Sequence, residues 1–249
     1  RAEDTQTTAS LQTQRDSLWQ LYPEQSGAAK LNSLRALYLA YAQAFDQPDS
    51  VLLVVDLWAE EAARENNAAH LLMAEFGHVV YYDLVGDSPK ALRRAYQVAE
   101  YAEQLQLDSI AIKAWDRIGY LEMERGVYEK SLEAFGKGQL LADRLRDREW
   151  QIYMANGKAY LYLLMADTAA SINHSRWAWQ RAQEAGLRGF DVEISLSLVD
   201  LYTAVGPVDS ARFFMKHLEE DSVYAENYRG IYDWHWANYF LAAGKPDSA

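Results

Sequence analysis

The sequence predicts an all-α fold in which antiparallel helix pairs are stacked into an α-solenoid. Apolar residues recur at intervals of three and four along most of the 249 residues, which is the spacing of one helix face. Only five prolines and thirteen glycines interrupt this pattern. Small and bulky residues also return in the same order about every 40 residues, which indicates a stack of similar helix pairs.

The first element is a helix around residues 11–21, inside a lead-in that occupies residues 1–29. Five full repeats and part of a sixth then fill residues 30–249, so that the sequence predicts one repeat domain over residues 1–249. The chain starts at Arg1 and stops in a helix-start signal at Ala249. We expect the natural protein to continue beyond both ends, because an unfinished last repeat leaves an apolar helix face uncovered.

The repeat is clearest between Ala114 and Phe135, where two short helices meet around a turn at Gly126. Small residues at a helix crossing let two backbones approach closely, and bulky neighbours fill the remaining space. The residues expected at this crossing are Trp115, Ile118, Gly119, Ser131, Phe135 and Gly138.

A small residue near the start of each second helix gives the period. These residues are Ser50, Ala91, Ser131, Ala170, Ala211 and Ala249, and their successive separations are 41, 40, 39, 41 and 38 residues. The period is therefore about 40 residues, so the helices are longer than in the usual repeat of 34 residues.

Turn residues separate the apolar runs at the expected places. Gly, Pro, Asp and Ser, which end one helix and cap the next, cluster in 47–50, 86–90, 206–210 and 244–248. The fourth repeat departs from the pattern, with Asn156 at an apolar position and Leu164 at the position of the turn glycine.

These features resemble the tetratricopeptide repeat (TPR) superfamily over residues 30–249. The long period, the segment Asp16–Glu24 and the acidic second helices are similar to the TPR sensor regions of Bacteroidetes-type signalling and regulatory proteins. The resemblance implies a right-handed superhelix that binds a protein or peptide ligand in its concave groove. It also implies a place before a membrane helix and an output module, and in that case a periplasmic location; otherwise a cytoplasmic one is expected.

The first helices line the concave side of a solenoid, so their outward residues are the candidate ligand contacts. They combine aromatic rings, amides and single charges, a composition suited to a peptide. The predicted groove residues are Asn32, Arg35, Gln43, His78, Tyr81, Tyr82, Lys113, Asp116, Tyr120, Met123, Gln151, Lys158, Tyr162, Asp200, Thr203, Trp234 and Asn238.

Other classes of function lack support in the sequence. The net charge of −12 would repel a nucleic acid, and the longest apolar runs are too short to span a bilayer. There is no cysteine, and the five histidines form no metal-ligand motif, so that we expect no metal and no cofactor. The glycines at 136–138 are expected at a helix crossing, because the rest of a phosphate-binding loop is missing. The aromatic stripe that includes Trp58, Trp115, Trp150, Trp177 and Trp179 is expected in the core.

The sequence therefore predicts a non-enzymatic scaffold for a protein or peptide ligand. Two alternatives stay open at this stage. One is a structural module that forms a homodimer and has no groove ligand. The other is an enzyme on a helical-repeat scaffold, which would need clustered titratable groups in one cavity.

Overall fold

The structure, a computed structural model, describes residues 2–44, 47–219 and 229–244, with side chains at 12–42, 47–219 and 233–244. Every regular element in these ranges is helical, which confirms the all-α prediction. After α1 and a short 3-10 turn at Tyr22–Glu24, the helices follow in pairs. They are α1 (Ala2–Leu21), α2 (Gly27–Ala44), α3 (Pro48–Arg64), α4 (Ala68–Leu84), α5 (Ser88–Gln104), α6 (Asp108–Glu124), α7 (Tyr128–Leu145), α8 (Arg148–Leu164), α9 (Thr168–Ala185), α10 (Arg188–Val205), α11 (Val208–Glu219) and α12 (Arg229–Ala242).

The period of 40 residues holds throughout the described pairs. The first helices α4, α6, α8 and α10 begin at residues 68, 108, 148 and 188, and the second helices α3, α5, α7, α9 and α11 begin at 48, 88, 128, 168 and 208. Residues 40 apart are therefore equivalent. The buried residues near the starts of the second helices are Val51, Ala91, Ser131, Ser171 and Ala211.

This alignment corrects three predicted marks of the repeat. Val51 and Ser171 are buried, so they replace the neighbouring predictions Ser50 and Ala170. The fourth repeat does not use Leu164 as its turn residue, because α8 continues to Leu164 and the left-handed backbone conformation falls at Ala166, with φ 60°. The last predicted mark, Ala249, lies outside the described residues.

A residue with positive φ ends most of the helices. From residue 66 to residue 186 such a residue occurs every 20 positions, at Asn66, Gly86, Gln106, Gly126, Arg146, Ala166 and Gly186. Left-handed backbone at the end of a helix satisfies its last carbonyls and turns the chain back. Four of the following helices are then capped by the side chain of Asn67, Asp87, Asp147 or Asp167, which accepts a hydrogen bond from the backbone N–H three residues on.

Glycines mark the closest approaches between helices. A Cβ atom on Gly157 of α8 would lie 2.5 Å from Cε1 of Phe135 on α7, and one on Gly138 would lie 2.5 Å from Sδ of Met154. Of the two glycines at 136–138, Gly138 lies at a helix crossing, as predicted, whereas Gly136 faces open space.

The chain divides into two compact units, Arg1–Glu122 and Met123–Ala249. In the first unit a core forms around Trp58, Leu34 and Val55, between α2, α3 and α4. In the second unit Ile152, Leu198 and Phe214 belong to a core that α8 to α12 share. The single domain over residues 1–249 stays a prediction.

Candidate functional site

A cavity of about 390 Å³ lies in the second unit between α7, α8 and α9, and it is partly open to solvent. Its floor is formed by α8, and its two walls are formed by second helices. The lining residues are Gln139, Asp143, Ala155, Lys158, Asn173, His174 and Trp177. Most of them are polar, although they lie beside the tightest crossing of the unit.

Two of the lining residues replace core residues of other repeats. The position of Lys158 is held by Tyr38, His78, Ile118 and Leu198, all of which are buried. The position of His174 is held by Val54, Arg94, Ala134 and Phe214, of which only Arg94 is polar. An amine and an imidazole therefore stand where most repeats of this chain place apolar side chains, and the space between them is unfilled.

The environment of the cavity lowers the pKa of both of its basic side chains. Burial lowers the pKa of Lys158 below its ordinary value, and the carboxylate of Asp143 only partly offsets this. Burial also lowers the pKa of His174, and the positive charge of Lys158 adds to the effect. His174 is therefore a neutral ring at pH 7. Within the described chain, Lys158 has no carboxylate in ion-pair distance.

The carboxylate of Asp143 is held by two amides. Its Oδ1 atom accepts hydrogen bonds from Nε2 of Gln139 at 3.0 Å and from Nε2 of Gln151 at 2.8 Å. Of the predicted groove residues, Gln151 therefore fixes a cavity wall, while Lys158 lines the cavity itself. These bonds hold the Asp143 side chain beside α8.

Tyr162 closes one side of the site through a stack that recurs in the repeats. Its ring lies parallel to that of His174, with centroids 5.2 Å apart. Forty residues later Tyr202 and Phe214 stack in the same way at 5.9 Å. Eighty residues earlier the guanidinium of Arg94 lies over Tyr82 at 5.7 Å. Three repeats therefore have a tyrosine at this position with a different partner in each, whereas Ala42 and Glu122 occupy it in the other two.

Trp177 stands at the rim and is 37% exposed, so the prediction that it belongs to the core is wrong. The guanidinium of Arg181, one turn further along α9, lies 5.5 Å from the ring centroid of Trp177. Trp58 and Trp115, in contrast, are buried as predicted. An exposed tryptophan beside a cavity can bury its ring against a ligand.

In the first unit, the equivalents of Lys158 and His174 form ion pairs with acidic side chains. Nε2 of His78 lies 2.9 Å from Oδ1 of Asp56, and Arg94 pairs with Glu75. His78 is also 3.8 Å from Glu75 through its Nδ1 atom. In repeat 2 (α4 and α5), the two positions that Lys158 and His174 occupy in repeat 4 (α8 and α9) therefore have counterions, Glu75 from α4 and Asp56 from the preceding helix α3.

One further carboxyl group in the first unit has an unusual environment. Burial raises the pKa of Asp116 to about 7, and the nearby charges of Arg117 and Lys113 only partly oppose this. Its buried Oδ1 atom has no hydrogen-bond partner among the described residues. Arg117 pairs instead with Asp83 at 2.7 Å.

The predicted groove residues differ in exposure. Asn32, Arg35, Asp200 and Trp234 are exposed, and His78 and Met123 are buried. The intermediate ones are Tyr81, Tyr82, Lys113, Asp116, Tyr120, Gln151, Lys158, Tyr162, Thr203 and Asn238, and the side chain of Gln43 lies outside the described residues. The rings of Tyr81 and Tyr82 touch at 5.3 Å between centroids, and Nδ1 of His235 lies 3.0 Å from Asp200.

The predicted groove residues on different first helices do not occupy equivalent repeat positions. At the interval of 40 residues, Gly77 and Gly157 are equivalent to Arg117 and not to Gly119. Predicted residues on α4 and α8 are therefore displaced by two positions from those on α6. The structural equivalents of Lys113, Asp116, Tyr120 and Met123 on α8 are Tyr153, Asn156, Tyr160 and Leu163.

Sequence reasoning missed six of the seven lining residues. Five of them lie on second helices, which were not expected to face a ligand, and they are Gln139, Asp143, Asn173, His174 and Trp177. The sixth is Ala155 on α8. A comparison between repeats could have found His174, since a polar residue at an apolar repeat position is visible in the sequence.

In the part of the chain that the structure describes, no cluster of three metal-ligating side chains occurs. No helix within those same residues has the length and apolarity to cross a membrane.

The fold defines a class, that of TPR-like helical-repeat proteins. No family model and no curated protein matches the sequence. Among solved structures, a signal transduction ATPase with numerous domains (STAND) from Pyrococcus horikoshii, described as having a tetratricopeptide repeat sensor, is similar with a TM-score of 0.69 and 15% identity. The similarity covers 92% of this chain and 35% of that one, so the chain spans about a third of that protein's length.

Two further solved structures have the same fold. The apo form of RapI has a TM-score of 0.63 and 11% identity, over 99% of this chain and 91% of that one. The TPR-like repeats of a kinesin light chain from Podosopora anserina have a TM-score of 0.56 and 11% identity, over 89% of this chain and 98% of that one. These similarities confirm the TPR-like fold.

Proposed function

We propose that this chain is a non-enzymatic scaffold that binds a segment of another polypeptide, and that the cavity between α7, α8 and α9 anchors that segment. The observation that carries the proposal is the unfilled cavity itself, in which Lys158 and His174 replace core residues of the other repeats. A half-buried amine without an ion-pair partner costs stability, and natural proteins keep such costs mainly at functional sites.

The cavity has the mixture of groups that a peptide needs. The amides of Gln139 and Asn173 can bond a peptide backbone, and Trp177 offers an aromatic face at the rim. The predicted groove residues Tyr82, Tyr120 and Trp234 remain candidates for contacts further along the ligand. The tetratricopeptide repeat sensor of the Pyrococcus horikoshii protein supports a role as the sensing or interaction region of a larger signalling protein.

A display library of short random peptides tests this function. Peptides enriched on the wild-type chain should bind Lys158→Met and Trp177→Ala about tenfold more weakly or worse, which corresponds to about 1.4 kcal/mol. Lys137→Met is the matched control, because Lys137 lies on α7 and pairs with Glu133 at 2.9 Å outside the cavity. If no peptide is enriched, or if Lys137→Met weakens binding equally, the proposed function is wrong.

The alternative of a structural dimer has one observation in its favour. Tyr160, Leu163, Leu164 and Met165 form an exposed apolar group at the end of α8. Such a patch can be covered by a second copy of the chain. Light scattering across a range of concentrations should then give the dimer mass for the wild type and the monomer mass for Leu164→Glu.

A further inference from the structure

The comparison of repeats 2 and 4 also specifies what the cavity accepts, provided that it is a binding site as proposed above. Residues 80 apart are equivalent in the two repeats. His78 corresponds to Lys158, Arg94 to His174, and Tyr82 to Tyr162. Both repeats therefore place two basic side chains and one tyrosine around the same point.

The surroundings of these bases differ in their acidic residues. Glu75 on α4 pairs with Arg94 and lies 3.8 Å from His78, and Asp56 on the preceding helix α3 pairs with His78 at 2.9 Å. Eighty residues later, the equivalents of Glu75 and Asp56 are Ala155 on α8 and Gly136 on α7. The bases are thus kept around repeat 4, and both acids are lost.

Ala155, the equivalent of Glu75, lines the cavity. Gly136, the equivalent of Asp56, leaves open space on α7, because a Cβ atom on it would have no neighbour within 4 Å. The side chain of Asp56 on α3 is 56% exposed, so a carboxylate can reach this point from solvent. The remaining acid of the cavity is Asp143, whose Oδ1 atom accepts hydrogen bonds from the amides of Gln139 and Gln151.

We infer that the cavity binds a glutamate or aspartate side chain of the polypeptide ligand, whose carboxylate takes the place of the missing equivalents of Glu75 and Asp56 and pairs with Lys158. The ring of Trp177 then covers an apolar neighbour of that acidic residue. The net charge of −12 repels an acidic ligand at a distance, so selection depends on this local pair.

The inference can be tested without knowledge of the ligand, because the chain itself can supply the acid. Ala155→Glu restores the glutamate of repeat 2 inside the cavity, and Ala155→Gln is its uncharged match. We expect Ala155→Glu to have a thermal midpoint about 4 °C or more above that of Ala155→Gln at pH 7. The difference should disappear when both are combined with Lys158→Met.

An exposed ion pair one helical turn apart contributes roughly 0.2–0.5 kcal/mol, which is about 1–2 °C for a chain of this size. A larger difference in midpoint between the two variants therefore indicates that the introduced glutamate pairs with Lys158 inside the cavity. If the glutamate variant is no more stable than the glutamine variant, or if the difference persists with Lys158→Met, the inference is wrong.

A second measurement separates this inference from the proposed function. Arrayed peptides with a fixed central Glu, Gln or phosphoserine between random residues are probed with the wild type and with Ala155→Glu. We expect at least fivefold more binding to Glu than to Gln, and loss of that preference in Ala155→Glu. Equal binding to Glu and Gln would mean that the chain binds peptides but does not recognise a carboxylate. A preference for phosphoserine would mean that the cavity binds a phosphate and not a carboxylate.

Discussion

The crossing of α7 and α8 gives a sharp test of the packing, because Gly157 leaves no room for a side chain. A Cβ atom there would lie 2.5, 2.7 and 3.0 Å from Cε1, Cζ and Cδ1 of Phe135. The ring of Phe135 is fully buried, so it must move by about 1 Å against other core groups to restore ordinary contact.

We expect Gly157→Ala to lower the free energy of unfolding by about 1–2 kcal/mol. Overpacking of a core costs typically 1–3 kcal/mol, and the better helix propensity of alanine returns up to about 1 kcal/mol. Gly136→Ala lies on the adjoining helix in open space, so that it should gain up to about 1 kcal/mol from propensity alone. Gly138→Ala should cost less than Gly157→Ala, because the flexible side chain of Met154 can move away.

Urea unfolding followed by circular dichroism measures all three variants. The slope of the transition should stay constant, so that differences in midpoint report stability. Combining Gly157→Ala with Phe135→Leu should recover part of the loss, since the shorter side chain vacates the space of the ring. A wild-type midpoint for Gly157→Ala, or equal effects at Gly157 and Gly136, would refute the close approach.

Three further predictions concern turns, caps and pH. Ala166→Gly should raise the thermal midpoint by about 1–3 °C, because alanine is strained at φ 60°, and Gly126→Ala at the equivalent turn should lower it. Asp167→Ala removes a helix cap and should cost about 1 kcal/mol in urea unfolding. Asp116 has a folded pKa of about 7 against an ordinary 3.8, so the folded chain binds the extra proton and loses stability as pH rises from about 4 to 7. Asp116→Asn should therefore be more stable than the wild type by about 1–3 kcal/mol at pH 8 and nearly equal to it at pH 4, whereas Asp83→Asn, which breaks an ion pair, should not stabilise the chain at pH 8.

The fold could be predicted because the same pattern of small and bulky residues recurs from repeat to repeat. Ala91, Ser131 and Ala211 were recognisable in the sequence, since a position that must stay small does so in several copies. The register within first helices was harder to predict. Gly77 and Gly157 serve the approach of α4 and α8 to earlier helices, and Arg117 occupies their equivalent position on α6. A glycine alone therefore did not identify a repeat position.

The candidate site could be predicted only in part, because its residues depart from the repeat. Lys158 was selected for its chemistry, but it was placed on an open groove and not in a cavity that second helices enclose. His174 and Asp143 have no motif of their own. Their roles become visible only when the residues of one repeat are compared with those of another at an interval that the helix boundaries establish.

Exchange of residues between repeats 4 and 5 tests that reasoning as a whole. Lys158→Leu with His174→Phe introduces the residues of repeat 5, where Leu198 and Phe214 are buried beside Tyr202, the equivalent of Tyr162. A buried leucine contributes about 1.5–3 kcal/mol, and loss of the desolvated amine adds to this, so we expect the thermal midpoint to rise by about 3–8 °C. The same variant should lose peptide binding, because the ring and the leucine fill the cavity. The reverse exchange, Leu198→Lys with Phe214→His, should lower the midpoint, since both residues are buried in an apolar core that would have to receive the amine. A fall in the midpoint of the first variant would mean that Lys158 and His174 stabilise the fold, and repeat 4 would then carry an internal polar network and not a site kept for a ligand.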